Sequence, residues 1–192
     1  ADTSFVYGRA LAQTAGTDVM RIADAELLPY DFMGLSETVK KYVDEVKLLL
    51  DNKRKEIVEQ NTQIQEGMFR ALADPREKSF PPSIEAVPPY LNFAPLDNAL
   101  DTLSRSATRY QKAVARFTES KRPVPREVNP KLVRSERMLT SETGLPGRPW
   151  FKHQIYAPGF YTGYGVKTIP AVREALEQKQ WKDAEVQIAK VG

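Results

Sequence analysis

A stripe of apolar side chains between positions 96 and 117 constrains the fold more than any other feature of the sequence. Its members step by four and three positions: Leu96, Leu100, Leu103, Ala107, Tyr110, Val114 and Phe117. This spacing gives a helix one apolar face that packs against other helices at a small crossing angle, and Pro95 suits its first turn. The stripe fits an internal core face, which we favour, or a seam between two subunits.

Residues 5–27 form another periodic region, which Pro29 closes because the residue before a proline is pushed out of the helical conformation. One face carries Phe5, Ala12, Ala15, Val19 and Ile22. Small residues recur every four positions, at Gly8, Ala12 and Gly16. This repeat predicts either a groove that a second helix can approach closely or a weak helix with two tolerated glycines.

The next helix is predicted to begin at Ser36, a suitable N-cap residue. Its apolar face holds Val39, Tyr42, Val43, Val46, Leu49 and Leu50. Beyond Asp51 the pattern thins, so we expect any continuation of the helix to be solvated. Residues 74–89 contain many prolines and no periodicity, which predicts a connector on the surface.

Asn129 and Pro130 predict the N-cap and first turn of a further helix, which Gly144 would end as its C′ residue. Two short helices follow from position 168 onwards, with apolar faces made of Val172, Ala175, Leu176, Trp181, Ala184, Ile188 and Val191. No alternating strand pattern of useful length is present. The predicted fold class is all-α: a four-helix-type bundle with short extra helices and a long ordered loop, in a single domain over residues 1–192.

Residues 144–170 form that loop, in which prolines and glycines alternate with aromatic rings: Trp150, Phe151, Tyr156, Phe160, Tyr161 and Tyr164. We expect neither a helix nor a strand to run through it. A structureless linker would be more polar, so we expect the loop to be ordered. Its rings either pin the loop to its own helices or also line a binding site on another domain.

Composition and motifs offer no chemistry within this chain. The residues are 41% hydrophobic and 28% charged, which is typical of a soluble globular protein, and there is no cysteine. His153 is the one histidine, and we expect it to be structural, so no catalytic residue, metal ligand or cofactor is assigned to this segment. We also expect the chain to be part of a longer protein.

The charge and hydropathy of the sequence indicate whether the chain binds nucleic acid or contacts a membrane. The net charge of +3 is only mildly basic, and the basic segment 121–137 is interrupted by glutamates and lacks aromatic residues. We therefore expect no nucleic-acid partner. Apolar runs reach only about four residues, too few to span a bilayer, so we expect no membrane contact by this segment.

Short motifs in the loop keep the spacing of a known family. They are Gly144-Leu145-Pro146, Arg148-Pro149, His153, Ile155-Tyr156-Ala157-Pro158, Tyr164, Pro170 and Ala175-Leu176, preceded by Ala12-Gln13, Gly16 and Leu27-Leu28-Pro29 near the start. This pattern resembles the glutamate carboxypeptidase II (prostate-specific membrane antigen) and transferrin receptor family, in particular its helical, transferrin-receptor-like dimerisation domain. The resemblance covers most of residues 5–190 and is weakest over 51–93, which we interpret as a variable excursion.

The resemblance implies a non-catalytic role. In that family a zinc peptidase domain precedes the helical domain, which builds a homodimer and sends its loop to the peptidase pocket. The implied partners are therefore a second copy and the peptidase domain of the same protein, with zinc only in that absent domain. The family also suggests the luminal or extracellular side of a membrane-anchored protein. Whether the full-length protein is an active peptidase stays open, because the transferrin receptor branch has the architecture without the activity.

The resemblance also implies site residues. In the family's loop, a Lys-Tyr pair meets the terminal carboxylate of a glutamate-like substrate. Without gaps, the tyrosine falls on Tyr164, the lysine on Gly163 and the preceding polar position on Thr162. Gly163 supplies no charge, so glutamate specificity is not implied. The residues expected to anchor the loop structurally are Arg148, Trp150, His153, Tyr156 and Pro158.

Two other functions stay open on the sequence alone. The apolar stripe and the lack of a catalytic set would suit a stand-alone helical adaptor that binds a partner helix or peptide in a groove. An enzyme in its own right would have to show zinc-dependent peptidase activity from this segment.

Overall fold

The computed structural model describes residues 4–71, 82–120 and 122–192. Its elements are α1 (Val6–Ala23), α2 (Phe32–Gln65), α3 (Met68–Ala71), α4 (Ala94–Ser120), α5 (Val128–Arg137), β1 (Tyr156–Pro158), β2 (Val166–Thr168), α6 (Pro170–Glu177) and α7 (Trp181–Val191). Most of the described chain is helical, and the two strands form one small sheet. The predicted all-α class is confirmed.

The main core lies where α2, α4, α6 and α7 meet. Its buried side chains are Val43, Val46, Leu50, Leu96, Ile169, Val172, Ala175, Leu176, Ala184 and Ile188. Burying a side chain of this size contributes roughly 1.5–3 kcal/mol. The cluster therefore fixes the two short helices α6 and α7 against the two long ones.

The apolar stripe of α4 faces the rest of this chain. Leu96 and Ala107 are buried. Tyr110 packs edge-on against Phe32 of α2, with 4.9 Å between ring centroids. The other members of the stripe are half-buried. The favoured interpretation as an internal core face is confirmed for the stripe, which packs on other helices of this chain.

α2 begins earlier than predicted. The Asp31 side chain accepts a hydrogen bond from the Gly34 N–H at 2.9 Å and caps the helix there, whereas Ser36 is buried within it. The predicted N-cap at Ser36 was wrong because Asp31 supplies an acceptor of the same kind one turn earlier. The apolar face is confirmed, and the helix continues to Gln65.

The Asn129 carboxamide does not cap α5, which begins one residue earlier, at Val128. Its Oδ1 accepts the Leu28 N–H at 3.0 Å, and its Nδ2 donates to the Glu26 carbonyl at 2.9 Å. The predicted N-cap was wrong because this side chain is used to bind the connector between α1 and α2. α5 ends at Arg137, so the prediction that Gly144 is its C′ residue was also wrong.

α1 has no buried residue. It ends at Ala23, four residues before the predicted 27, because the chain then enters the connector that Asn129 holds. The small residues Gly8, Ala12 and Gly16 are all exposed. In the described part of the chain, the residues of the predicted groove therefore stay exposed to solvent.

Residues 144–170 contain two strands, which the sequence did not predict. β1 and β2 pair antiparallel with Tyr156 opposite Thr168 and Pro158 opposite Val166. The strands are three residues long, and Pro158 occupies the end of β1, where its missing N–H costs least. No element runs through the whole segment, as expected, but two short strands form within it because the glycines cluster in the turn between them.

The predicted connector over residues 74–89 lies partly outside the described residues, as does Lys121 of the basic segment. Residues 82–93 have no regular structure. Pro88 is nevertheless fully buried, and the Asn61 side chain bonds both the carbonyl and the N–H of Glu85, at 2.7 and 2.9 Å. The described part of the connector therefore runs along the surface, as expected, with most of its residues exposed, and Asn61 of α2 holds it at Glu85.

Candidate functional site

The segment between α5 and α6 starts with a tight reversal at residues 144–151. Leu145 is buried, and its N–H donates to the Phe151 carbonyl at 2.9 Å. Gly144 has a φ of +64°, and a Cβ at this position would lie 2.3 Å from the Pro149 carbonyl oxygen. Only glycine permits such an approach, so the reversal depends on it.

Arg148 and Glu174 form a buried ion pair between this reversal and α6. They are 5% and 8% exposed, and Arg148 Nη2 donates to Glu174 Oε1 and Oε2 at 2.9 and 2.7 Å. Further hydrogen bonds offset the desolvation of the pair. The Phe160 N–H donates to Glu174 Oε1 at 2.8 Å, and Arg148 Nη1 donates to the Pro158 carbonyl. The guanidinium also lies 5.5 and 5.4 Å from the ring centroids of Phe151 and Phe160.

A second polar cluster ties the hairpin to α5. Glu136 Oε1 accepts a hydrogen bond from the Tyr156 hydroxyl at 3.1 Å and lies 3.2 Å from His153 Nε2. His153 Nδ1 accepts the Ile155 N–H at 3.2 Å, an arrangement that requires the ring proton on Nε2. The hydrogen bond to Glu136, helped by partial burial, raises the pKa of Tyr156. His153 thus has hydrogen-bond partners at both ring nitrogens within the fold.

The tip of the hairpin, residues 160–165, is exposed, and it follows Gly159, which is buried. Thr162 turns the chain, because its Oγ1 donates to the Gly165 carbonyl at 2.9 Å and its own carbonyl accepts the Gly165 N–H at 3.1 Å. Gly163 has a φ of +57° with open space where a Cβ would point. Tyr161 is 82% exposed and Tyr164 is completely exposed. The three positions that the resemblance singled out therefore lie together on one exposed turn.

The residues expected to anchor the loop differ in burial. Arg148 is buried, His153 and Pro158 are half-buried, and Tyr156 is exposed but hydrogen-bonded. Trp150 is 69% exposed, with its ring 6.1 Å from that of Phe151. The first interpretation of the loop, that its rings pin it to its own helices, describes its base; the second, that it lines a binding site on another domain, stays a prediction for the exposed tip.

The exposed tip carries groups that can take part in recognition. Across the described ranges, no three His, Asp or Glu side chains come together as metal ligands. In the same part of the chain, no helix combines the length and apolar character needed to cross a membrane. The exposed tip offers the Tyr164 hydroxyl, which can donate one hydrogen bond, and neighbouring main-chain groups.

Sequence reasoning missed two acidic residues that organise this site, Glu136 and Glu174. Glu174 could have been found, because it and Arg173 are the two charged residues between Val172 and Leu176 on a short helix that is otherwise apolar there. A charge in that setting is normally paired. Glu136 carries no such signal, since it lies in a helix rich in exposed charges.

The fold and the loop define a helical domain that carries an aromatic hairpin anchored at its base and an amphipathic helix without a buried face. Residues 91–192, just over half of the chain, match the transferrin receptor-like dimerisation domain. The chain belongs to this family.

Three relatives are much longer than this chain. A probable glutamate carboxypeptidase of Arabidopsis thaliana is 25% identical over 197 residues, covering 99% of this chain and 23% of the relative. A probable glutamate carboxypeptidase of Arthroderma benhamiae is 46% identical over 41 residues, 21% of this chain and 6% of the relative. An inactive zinc metalloprotease of Schizosaccharomyces pombe is 39% identical over 56 residues, 29% of this chain and 7% of the relative. The chain spans less than a quarter of the length of each.

Proposed function

We propose that this segment is the non-catalytic helical dimerisation domain of a glutamate-carboxypeptidase-like protein. In this proposal it assembles a homodimer, and its hairpin tip completes the substrate pocket of a peptidase domain elsewhere in the same protein. Family membership and the carboxypeptidase relatives support the first part.

The observation that carries the pocket role is the contrast between the two ends of the hairpin. Its base is held by a buried ion pair, whereas Tyr161 and Tyr164 at its tip are exposed. Exposed rings on an anchored turn lose little conformational entropy when they bind, which suits a surface made for contact with another protein unit. Tyr164 would donate a hydrogen bond to the substrate, and Thr162 and Gly163 would shape the turn that presents it.

The apolar face of α1 supports assembly. Leu11, Ala15, Val19 and Ile22 share one side of this helix with the small residues, and no charged residue lies among them. Apolar surface of this extent on a soluble protein indicates an interaction site. We assign it to the contact with the second copy.

Catalysis, in this proposal, belongs to the peptidase domain, which would also hold any zinc. The relatives include probable carboxypeptidases and an inactive zinc metalloprotease. The activity of the full-length protein is therefore a separate question from the role of this segment.

The test uses the full-length protein. Size-exclusion chromatography with light scattering is expected to give twice the monomer mass. Hydrogen exchange is expected to show the amides of Tyr161, Gly163 and Tyr164 at least roughly tenfold slower than their intrinsic rates, because docking excludes water from amides that make no hydrogen bond to the residues the structure describes. A monomer whose tip amides exchange at intrinsic rates would contradict both roles.

A helical adaptor is the second candidate function, and the exposed apolar face of α1 also suits it. An adaptor would be monomeric without its partner and would bind an amphipathic partner helix along α1. The same light-scattering measurement separates the two functions.

A further inference from the structure

We propose that Arg148 and Glu174 are positioning residues that set the direction of the hairpin tip relative to the helical core. This inference rests on the proposed function, because it concerns how the tip is presented to the neighbouring domain. It assigns the task to two residues that lie away from the tip itself.

Three segments of the chain converge on this pair. Arg148 belongs to the reversal at 144–151, Glu174 belongs to α6, and both bind the base of the hairpin. Arg148 Nη1 donates to the Pro158 carbonyl, and Glu174 Oε1 accepts the Phe160 N–H at 2.8 Å. The pair therefore bonds the main chain directly before and after Gly159, where β1 ends and the tip begins.

The pair can transmit the orientation of the core because α6 is fixed within it. Val172 and Leu176, on either side of Glu174 in sequence, have no exposed surface. The hairpin cannot orient itself, since two strands of three residues are only marginally stable alone. Its direction must come from contacts outside the sheet.

The other ion pair between α6 and the hairpin is more exposed. Lys167 of β2 pairs with Glu177, whose side chain is 35% exposed. Ion pairs exposed to this degree contribute little, because water and salt screen them. Arg148 and Glu174 are nearly buried, and the aromatic rings of Phe151 and Phe160 flank the guanidinium. Arg173 of α6 also donates to the Thr168 carbonyl and hydroxyl, at 3.1 and 2.7 Å, but Thr168 lies at the end of the sheet away from the tip. The buried pair is therefore the contact that holds the hairpin next to its tip.

The test replaces the pair without leaving a buried charge. In the double variant Arg148→Met/Glu174→Leu, apolar side chains of similar size take the place of the ions, and such exchanges are often neutral or stabilising. We expect the melting temperature of the full-length protein to stay close to that of the wild type. We expect the Phe160 amide to exchange roughly tenfold faster, because its acceptor is gone. The tip amides of Tyr161 and Tyr164 should lose the protection that docking gives.

Two further variants keep the test decisive if the double variant folds poorly. Glu174→Gln keeps one acceptor oxygen and removes the charge, so we expect a smaller acceleration at Phe160. Asp97→Asn is the matched control, because it breaks the Lys47–Asp97 ion pair between α2 and α4, which does not touch the hairpin. We expect this control to leave hairpin exchange unchanged.

The charge-swapped variant Arg148→Glu/Glu174→Arg keeps the attraction between opposite charges but removes the hydrogen bonds to the hairpin main chain. It therefore shows which of the two positions the tip. Arginine has no acceptor, so it cannot receive the Phe160 N–H, and a carboxylate at 148 cannot donate to the Pro158 carbonyl. We expect the swap not to restore protection at Phe160 or at the tip. Restoration would overturn the proposal, because it would show that any opposite-charge pair suffices.

Failure of this inference differs from failure of the proposed function. Unchanged exchange at Phe160 in the double variant would overturn the inference, and so would tip amides that stay as protected as in the wild type. Tip amides that already exchange at intrinsic rates in the wild type would contradict the pocket role before any variant is made.

Discussion

The main-chain N–H of Leu28 donates a hydrogen bond to Oδ1 of Asn129, at 3.0 Å and 101 positions further along the chain. The same carboxamide also donates to the Glu26 carbonyl, so this one side chain holds the connector between α1 and α2 in place. We predict that Asn129→Ala weakens this junction by about 1–3 kcal/mol, the usual worth of two hydrogen bonds. Hydrogen exchange at the Leu28 amide in the full-length protein measures the change.

Asn98→Ala is the control for this prediction. Asn98 is exposed on α4, so its loss should leave Leu28 exchange unaltered. Equal exchange rates at Leu28 in wild type and Asn129→Ala would show that the two Asn129 hydrogen bonds do not stabilise the connector.

The hydrogen bond between Tyr156 and Glu136 predicts a pH response. It raises the pKa of Tyr156, so the contact contributes fully below the unfolded-state value of about 10 and is lost as pH rises through the higher folded-state value. We predict that Glu136→Gln lowers the Tyr156 pKa towards its ordinary value, since the carboxylate that disfavours the phenolate is gone. An NMR titration of the Tyr156 ring carbons checks it, and identical titration curves would refute it.

The apolar face of α1 predicts an effect on assembly. Ala15→Glu places a carboxylate in the middle of that face, and burying it without a partner is costly. We expect the dimer of the full-length protein to dissociate at least roughly tenfold more readily, as seen by light scattering over a dilution series. Thr17→Glu, on the polar side of the same helix, should leave the dimer intact. A stable dimer in both variants would remove α1 from the interface.

Tyr164 predicts an effect on substrate binding in a full-length protein with carboxypeptidase activity. Tyr164→Phe removes one hydroxyl donor and should weaken binding by about 0.5–1.5 kcal/mol, the net worth of one hydrogen bond. KM and kcat with a peptide ending in glutamate measure this, and Tyr161→Phe is the control from the same tip. Unchanged constants for Tyr164→Phe would leave the pocket role unsupported.

A substitution at Gly163 is predicted to alter the preference for the C-terminal residue of a peptide substrate. Gly163→Lys meets no neighbouring atom, although its φ of +57° costs a side chain about 1 kcal/mol. We expect the new ammonium to favour peptides ending in glutamate over peptides ending in leucine, since a charge-assisted hydrogen bond is about twice as strong as a neutral one. The ratio of kcat/KM for the two peptides checks it against Gly163→Gln, which has similar length and no charge.

Periodicity predicted the helical core because the apolar stripes of α2, α4, α6 and α7 contain several residues each. A single residue that departs from the helical spacing does not hide such a pattern. The helix ends were less predictable. Ser36 and Asn129 both have the chemistry of an N-cap, yet Asp31 performs that task for α2, and Asn129 bonds a segment far away in sequence. A cap is chosen by competition between neighbouring acceptors and by tertiary contacts, which local sequence does not reveal.

The hairpin was missed for a different reason. Strands of three residues give no alternation to detect, and their pairing depends on anchors outside the sheet, among them Glu174. The resemblance assigned Thr162, Gly163 and Tyr164 to the substrate-facing part of the family's loop. It could not show that the turn's base is held by a buried pair, because that contact joins positions 26 residues apart.

The base of the hairpin is anchored to the helices and its tip is exposed, and this difference has an evolutionary consequence. Positions 161–164 contribute nothing to the buried core, so their side chains can be exchanged while the bundle keeps its stability. If the turn binds substrate as proposed, ligand preference can be gained or lost by altering a few of its residues, and the helical scaffold need not change with them.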